Sequence, residues 1–250
     1  MKALITGASS GMGRDFARVL SGMGYELFVA ARRMDRLMEL KNELSTPVTP
    51  IRADLSVQED CIALYDRLKN ENIDLLINNA GFGLCGEFTE LPLEDELRLI
   101  QTNVTGLHIL TKLFLQDFVR RDSGQILNVS SSAGFMIGPL LSTYYASKAY
   151  VLRLSEGICE ELRRKGSRVR IAVLCPGPVA TEFDKVANVR FSIKGLSSME
   201  VAQYAVRKLQ QGKTVIVPGV LMKLTIFSRR FVSDKTIAKT AYHIQHKKIR

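Results

Sequence analysis

The sequence predicts an α/β fold in which a doubly wound parallel sheet of about seven strands carries helices on both faces. Two observations predict it. Short apolar runs alternate with longer amphipathic stretches along the 250 residues, as they do in βαβ units. Most of the short runs are continuously apolar, which is typical of strands buried on both faces of a parallel sheet. A composition of 46% hydrophobic and 24% charged residues fits one globular domain of this kind.

The individual elements follow from these runs. Strands are predicted at 2–6, 26–31, 48–52, 74–78, 125–130, 170–174 and 214–217. Helices are predicted at 11–23, 33–44, 57–70, 92–120, 143–165 and 198–211. The polar stretches Asp54-Leu55-Ser56 and Ser197-Ser198 are suited to capping two of these helices. Residues 182–197 have weak periodicity and predict a loop, which we expect to close as a lid.

A glycine-rich stretch, TGASSGMG at 6–13, follows the first predicted strand and opens the first predicted helix. It contains G-x-S-x-G, the nucleophile elbow of serine hydrolases, but that interpretation also needs an acid and then a histidine later in the chain. The three histidines lie in a helical pattern or in the charged tail. Position favours a Rossmann-like turn that holds a dinucleotide pyrophosphate at a helix N-terminus. The residues predicted to bind it are Thr6, Gly7, Ser9, Ser10, Gly11, Met12 and Gly13.

Tyr144 and Lys148 stand four residues apart on a predicted helix and therefore share one face. A free tyrosine has a pKa near ~10, which is too high for a base at neutral pH. A neighbouring ammonium favours the phenolate, so we expect Lys148 to make Tyr144 a usable general acid or base. Ser131 directly follows the predicted strand at 125–130 and is suited to donate a hydrogen bond to a substrate oxygen.

Together with NNAG at 78–81 and PGPVAT at 176–181, these motifs resemble the classical short-chain dehydrogenase/reductase family over residues 1–218. The resemblance implies that Tyr144 donates the proton in reduction and accepts it in oxidation. It implies that Ser131 positions and polarises the substrate oxygen, and that Lys148 also binds the nicotinamide ribose. Asn103 matches the family asparagine that completes a proton relay through water.

Three neighbouring residues compete for these roles. Tyr145 is only three residues from Lys148 and fails the Y-x-x-x-K pattern. Ser130 and Ser132 lack the thirteen-residue separation from Tyr144 that Ser131 has.

The end of the second predicted strand bears on the choice of nicotinamide cofactor. It carries no acid that would bond the ribose hydroxyls of NAD, and instead has Arg32 and Arg33. Paired guanidinium groups suit the 2′-phosphate of NADP(H), for which Arg32 is the better family match. NAD(H) stays open, because Ser10 stands where many NADP-dependent relatives have Lys or Arg. The resemblance implies further cofactor contacts for Asp54, Leu55, Asn79, Ala80, Gly81, Pro176, Gly177, Val179 and Thr181.

The substrate pocket of such a fold lies beyond the carboxyl ends of the strands. The segments there are mostly apolar, and the candidate lining residues are Phe82, Leu84, Phe135 and Phe183. We therefore expect an apolar carbonyl or secondary alcohol as substrate, and an NADPH-dependent carbonyl reductase as the enzyme. The alternative is a catalytically silent, cofactor-binding regulator. The resemblance also implies a homodimer or homotetramer built on the helices at 92–120 and 143–165.

Residues 219–250 are predicted to extend the main unit of 1–218 as two basic amphipathic helices. From Lys213 onwards, nine Lys or Arg residues accompany one acid, Asp234, so this part carries +8 of the net charge of +10. The nearly neutral remainder excludes a general nucleic-acid-binding surface. Lys223 interrupts the longest apolar run, which argues against a transmembrane span. Three interpretations stay open: contact with an anionic membrane, docking of an acidic partner, or a helical cap on the body or a neighbouring subunit.

The cysteines give no sign of a metal site or a disulfide framework. Cys61, Cys85, Cys159 and Cys175 are scattered and form no C-x-x-C pair. Reduced thiols and a start without a signal-peptide pattern predict a cytoplasmic protein, with peripheral membrane contact of the tail as a further option.

Overall fold

The structure is a computed structural model that describes residues 1–180 and 195–246. Its main sheet has seven parallel strands in the order β3-β2-β1-β4-β5-β6-β9. These strands are β1 (Lys2–Thr6), β2 (Glu26–Ala31), β3 (Val48–Arg52), β4 (Leu75–Asn78), β5 (Gln125–Val129), β6 (Arg170–Leu174) and β9 (Val215–Ile216). A separate parallel pair joins β7 (Val179–Ala180) to β8 (Leu196–Ser197). The predicted Rossmann-like sheet is confirmed, with each predicted strand placed to within one residue at either end.

Helices cover both faces of the sheet. They are α1 (Gly11–Gly22), α2 (Met34–Glu43), α3 (Gln58–Leu68), α4 (Leu93–Ile100), α5 (Leu107–Arg120), α6 (Ser142–Arg164), α7 (Ser198–Gln210), α8 (Val220–Ser228) and α9 (Asp234–His246). Short 3₁₀ turns lie at Ser132–Phe135 and Arg229–Phe231. The predicted helix at 92–120 is interrupted by a π-helical segment, Gln101–Gly106, between α4 and α5.

The strands are buried on both sides because alternate residues enter two different cores. Ile5 of β1 packs with Phe16 of α1 and Val201 of α7, in the core that also includes α2. Its neighbour Leu4 faces the opposite core with Phe114 of α5, where α3 and α6 also pack. Burial on both faces explains why the strands are apolar throughout instead of alternating.

One predicted cap is confirmed and the other is wrong. Ser197 forms a full capping box with Glu200 at the start of α7. At α3 the capping position is Val57, which offers no side-chain hydrogen bond. Asp54 bonds instead to the backbone and hydroxyl of Ser56, two residues on, which closes a local turn before the helix.

The strand order reverses between β1 and β4, and ligands of doubly wound sheets bind at this point. Thr6 ends β1, and its hydroxyl accepts hydrogen bonds from the backbone amides of Asn79 and Ala80, which follow β4. The glycine-rich turn and the NNAG motif are therefore held at one edge of the sheet.

Candidate active site

The glycine-rich turn after β1 presents bare backbone at the N-terminus of α1. Gly7 and Gly11 have φ angles of +65° and +52°, which only glycine adopts without strain. A Cβ on Gly13 would lie 2.2 Å from the carbonyl oxygen of Gly7, so no side chain fits there. This arrangement fits a dinucleotide, whose pyrophosphate needs close approach to backbone amides at a helix N-terminus.

Asn79 holds the turn in this shape. Its side-chain nitrogen donates to the carbonyl oxygens of Thr6 and Gly7, at 3.1 and 3.2 Å. These bonds explain why an amide side chain follows β4, since a carboxylate could not donate to either carbonyl. Direct contact of Asn79 and Ala80 with a cofactor stays a prediction.

The two arginines after β2 have different surroundings. Arg33 donates to the hydroxyls of Ser10 and Ser9, at 2.9 and 3.2 Å. The side chain of Arg32 is 62% exposed and lies 3.9 Å from the carboxylate of Asp54. Arg33 is therefore the arginine that reaches the glycine-rich turn, although the family match favours Arg32. Because the hydroxyl of Ser9 accepts from a guanidinium, the structure also gives no support to Ser9 as a hydrolase nucleophile.

Asp54 is held in its charged form beside this cationic pair. Burial alone would raise the pKa of its carboxyl, but hydrogen bonds from Ser56 and the charges of Arg32 and Arg98 lower the pKa below its ordinary value. An ionised carboxylate here can accept hydrogen bonds from a polar ligand group.

The hydroxyl of Ser131 lies close enough to Tyr144 to lower the pKa of that tyrosine. It also donates to the carbonyl of Pro176 at 3.4 Å and accepts from the backbone amide of Ala133 at 3.1 Å. Ser131 precedes the 3₁₀ turn after β5, and Tyr144 lies in the first turn of α6. Burial raises the pKa of Tyr144 to about 12, and the hydroxyl of Ser131 works in the opposite direction. The pair places a proton donor and a second hydroxyl at one point, as carbonyl reduction requires.

Lys148 is buried one turn further along α6, with only 5% of its surface exposed. Its ammonium donates to the carbonyl of Val129 at 3.0 Å and lies 5.8 Å from the centre of the Tyr144 ring. Burial lowers the pKa of Lys148 to about 8. The expected lowering of the Tyr144 pKa by Lys148 is not found in the chain alone. Desolvation dominates at both groups, and the group that lowers the pKa of Tyr144 is Ser131.

Asn103 lies in the π-helical segment and is completely buried. Its side-chain oxygen accepts from the backbone amide of Phe82, and its nitrogen donates to the carbonyl of Phe82 and the hydroxyl of Ser147. A Cβ on Gly81 would lie 2.9 Å from the Asn103 side-chain oxygen and 3.3 Å from the Lys148 nitrogen. Asn103 thus stands beside the Tyr144–Lys148 helix, and π-helical segments are frequent at such sites.

The family model for short chain dehydrogenases matches residues 1–190. The chain belongs to the short-chain dehydrogenase/reductase family. It is 35% identical, over 76% of its length and 75% of the relative's, to a Haemophilus influenzae protein named as a probable NADP-dependent dehydrogenase.

Two solved structures of short-chain dehydrogenases resemble the chain. A Sphingobium yanoikuyae short-chain dehydrogenase in complex with NADPH superposes with a TM-score of 0.82 at 30% identity, covering 92% of this chain and 94% of that one. A Burkholderia phymatum short chain dehydrogenase/reductase in complex with NAD has a TM-score of 0.84 at 26% identity, covering 92% of each chain. The family binds a nicotinamide cofactor in both forms, so its membership leaves the choice between NAD and NADP open.

The other predicted cofactor residues of this short-chain dehydrogenase/reductase lie around the same edge of the sheet. The carbonyl of Pro176 accepts from the backbone of Ser132 at 2.8 Å, and Gly177 packs against Met222 of α8. Val179 pairs with Leu196 in the small sheet. Met12 is half-buried against the core that contains Ile5 and Phe16. The carbonyl of Leu55 fills the space that a Cβ on Gly106 would need. Thr181 lies outside the described residues, as does most of the predicted lid.

The predicted substrate residues are only partly brought together. Phe82 is fixed by Asn103 and lies under the guanidinium of Arg98, 5.6 Å away. Leu84 is half-buried. Phe135 packs on the core around Val151 and is therefore at least partly structural. Phe183 lies outside the described residues.

Sequence reasoning missed one residue at this site, Gln245. It lies in α9, yet only 2% of its surface is exposed, and its side chain bonds to Tyr145 beside Tyr144. A lone glutamine in a basic tail gives no sequence signal for such a contact.

Neither a metal site nor a membrane span is found among the described residues. No cluster of His, Cys, Asp or Glu in 1–180 and 195–246 has the grouping of metal ligands. Within the same ranges no helix combines the length and apolar character needed to cross a bilayer. All four cysteines are free thiols.

Proposed function

We propose that this chain is an NADPH-dependent carbonyl reductase that acts on an apolar carbonyl or the corresponding secondary alcohol. The observation that carries the proposal is the grouping of three side chains: Ser131 acts on the pKa of Tyr144, and the buried ammonium of Lys148 lies 5.8 Å from the centre of the Tyr144 ring. A protein that only sensed a cofactor would not need a proton donor (Tyr144), a hydrogen-bond donor (Ser131) and a buried ammonium (Lys148) close together. The proposed catalytic residues are Ser131, Tyr144, Lys148 and Asn103.

The residues around the glycine-rich turn fit the dinucleotide. Gly7, Gly11 and Gly13 leave backbone free for the diphosphate. Asp54 supplies an ionised carboxylate for the adenosine end. When bound, the nicotinamide supplies hydride to the carbonyl carbon or accepts it from the alcohol.

Tyr144 performs the proton transfer in the proposed reaction. With a pKa raised to about 12, its hydroxyl keeps its proton at neutral pH and is suited to protonate the oxygen of a carbonyl as hydride arrives. Ser131 donates a hydrogen bond to the same oxygen, which stabilises the negative charge developing there. In the reverse direction Tyr144 must first lose its proton, so oxidation is favoured by alkaline pH. Asn103 fixes the loop at Phe82 and thereby shapes the space beside Lys148.

Preference for NADP(H) is supported by charge. The strand β2 ends without an acid, and Arg32 and Arg33 stand there with the hydroxyls of Ser9 and Ser10 beside Arg33. Guanidinium groups bind phosphate oxygens in pairs, which suits a 2′-phosphate. NAD(H) is the alternative cofactor, and one solved relative is complexed with it.

We also propose a homo-oligomer, a dimer or tetramer, built on the outer faces of α4, α5 and α6. Leu97, Ile100, Val119 and Tyr150 are exposed there. Between α5 and α6 lies an open cavity of about 780 Å³ lined by Leu115, Val119 and Ile158 among others. Exposed apolar surface of this extent marks interaction sites. The proposed location is the cytoplasm.

The first experiment is titration of NADPH and NADH into wild type, Arg33→Ala and Arg32→Ala. We expect wild type to bind NADPH more tightly than NADH, and loss of Arg33 to weaken NADPH binding about 10- to 100-fold, as for lost charged hydrogen bonds. Equal binding of both cofactors by all three proteins contradicts the NADP preference. Turnover of a panel of apolar ketones, abolished in Tyr144→Phe with cofactor binding kept, then separates an enzyme from a silent cofactor binder.

A further inference from the structure

A group of large apolar side chains after β9 is exposed to solvent. Val220, Leu221, Leu224, Phe227 and Phe231 are each 55–77% exposed, and Val232 adjoins them at 42%. We call these six residues the C-terminal apolar patch. Single exposed apolar residues are ordinary, but a contiguous group within thirteen positions marks an interaction surface.

The patch is held in place on its inner side. Met222 of α8 packs against Gly177, and α8 also contacts the 3₁₀ turn that follows Ser131. The ammonium of Lys223 donates to the hydroxyl of Tyr204 on α7 at 3.2 Å. The outer side carries positions 220, 224 and 227 at helical spacing. Within the described residues, no other helix or strand covers this side. The patch is thus a fixed apolar ridge beside the candidate active site.

Basic side chains surround the ridge. Arg230 lies with its guanidinium 5.8 Å from the ring of Phe227. Arg229, Lys235 and Lys239 follow along the chain, and the one acid, Asp234, pairs with Arg229 at 3.5 Å. Apolar side chains beside an excess of cations match the boundary of an anionic bilayer, where acyl chains lie beneath negative headgroups.

Charge also argues against a second copy of the chain as the occupant. A two-fold contact would place the same patch on both subunits and bring like charges together. An anionic lipid surface neutralises those charges instead. Its acyl region accepts apolar side chains of any shape, whereas a protein groove must match them.

We propose that the C-terminal apolar patch docks on the surface of anionic lipid membranes. Phe227 and Phe231 enter the boundary between headgroups and acyl chains, and Arg229 and Arg230 contact the headgroups. Because α8 adjoins the turn after Ser131, docking brings the candidate active site close to the lipid. Delivery of a lipophilic carbonyl from the membrane therefore follows if the proposed reductase activity holds, while the docking itself does not depend on that activity.

Vesicle flotation with the full chain tests docking directly. The vesicles contain either phosphatidylcholine alone or phosphatidylcholine with an equal amount of phosphatidylglycerol. We expect binding to the anionic vesicles only, and we expect it to fall as salt is raised because the charges are exposed. The double variant Phe227→Ser with Phe231→Ser should weaken binding about tenfold or more, since each ring buries apolar area. Replacing Arg229 and Arg230 by Gln should weaken it to a similar degree.

The matched control is Met38→Ser with Ile62→Ser, which removes two comparably exposed apolar side chains from α2 and α3. This variant should bind like wild type. Cofactor titration checks that each variant is folded, and it also shows separately whether the proposed function fails. Absence of wild-type binding to anionic vesicles overturns the docking proposal, as does equal binding of the phenylalanine variant. Dissociation of a wild-type oligomer in the phenylalanine variant, seen by analytical ultracentrifugation, overturns it in favour of a second copy.

Discussion

The side-chain amide of Gln245 donates a hydrogen bond of 2.8 Å to the hydroxyl of Tyr145, one hundred positions earlier in the chain. Gln245 is the buried residue of α9, and Tyr145 follows Tyr144 on α6. The two tyrosine rings meet edge to face with centres 6.1 Å apart. The ring of Tyr145 also fills the space that a Cβ on Gly138 would need. One hydrogen bond therefore ties the end of the tail to both α6 and the loop that follows Ser131.

We predict that Gln245→Leu raises the KM for the carbonyl substrate more than it lowers kcat. The variant leaves the hydroxyl of Tyr145 without its partner and loosens the attachment of α9 to α6 beside Tyr144, but it does not change Ser131 or Tyr144. Steady-state kinetics and hydrogen exchange across 234–246 measure the two effects. Gln210→Leu, at an exposed position on α7, is the control. Unchanged KM together with unchanged exchange protection would show that the contact is unimportant.

We predict that Lys148→Met abolishes activity but stabilises the fold at neutral pH. A lysine whose pKa falls from 10.5 to about 8 makes folding unfavourable by about 3 kcal/mol while it is charged. The lost hydrogen bond from the charged ammonium to Val129 offsets about 2 kcal/mol of this, so the expected gain is about 1 kcal/mol. Below pH 8 the lysine is charged in both states. Between pH 8 and 10.5 the folded protein releases the proton and the unfolded chain keeps it, so wild type gains stability as pH rises.

Urea denaturation at a series of pH values measures this difference. The advantage of Lys148→Met should be largest below pH 8 and shrink towards pH 10.5. Lys112→Met, an exposed lysine on α5, should show no such dependence. A less stable Lys148→Met protein at pH 7 would mean that the hydrogen bond to Val129 outweighs the desolvation of the ammonium.

The pH profile of alcohol oxidation should move when Ser131 is replaced. Its hydroxyl lowers the pKa of Tyr144 against the effect of burial, so Ser131→Ala should raise that pKa further. Oxidation requires deprotonated Tyr144, and its alkaline rise should therefore begin about one pH unit higher, as expected for loss of a bond to a charged group. Initial rates of wild type, Ser131→Ala and Ser132→Ala across alkaline pH test the shift. If Ser131→Ala has the same pH profile as wild type, Ser131 does not influence the pKa of Tyr144.

The fold was predictable from sequence because the two kinds of element have different patterns. Strands buried on both faces must be apolar throughout, whereas helices on the outside of the sheet keep one polar face. Spacing also placed Tyr144 and Lys148 on one face of a helix, since a four-residue interval fixes that face, and the family resemblance added Ser131. Other features depend on tertiary contacts that no local pattern encodes. Three features are of this kind. One is the π-helical segment around Asn103, another is that Arg33 and not Arg32 points towards Ser10, and the third is the burial of Gln245 against Tyr145. The pKa of Tyr144 departed from expectation because burial raises it and Lys148 is not among the groups that lower it.

Gly13→Ala should abolish cofactor binding, whereas Gly22→Ala should leave it intact. Both glycines lie on α1 at ordinary helical φ angles, so backbone freedom does not distinguish them. A Cβ on Gly13 would lie 2.2 Å from the carbonyl oxygen of Gly7 and 2.6 Å from the Asn79 amide nitrogen, and would force the turn open. A Cβ on Gly22 meets nothing within 4 Å.

The expected stability changes have opposite signs. Overpacking at Gly13 should cost about 1–3 kcal/mol, and replacing Gly22 should stabilise the helix by up to about 1 kcal/mol through the unfolded chain. Calorimetric titration of NADPH and urea denaturation of both variants measure binding and stability separately. Retention of NADPH affinity in a folded Gly13→Ala protein would mean that the turn opens without loss of the diphosphate site, and the role assigned to Gly13 would then be wrong.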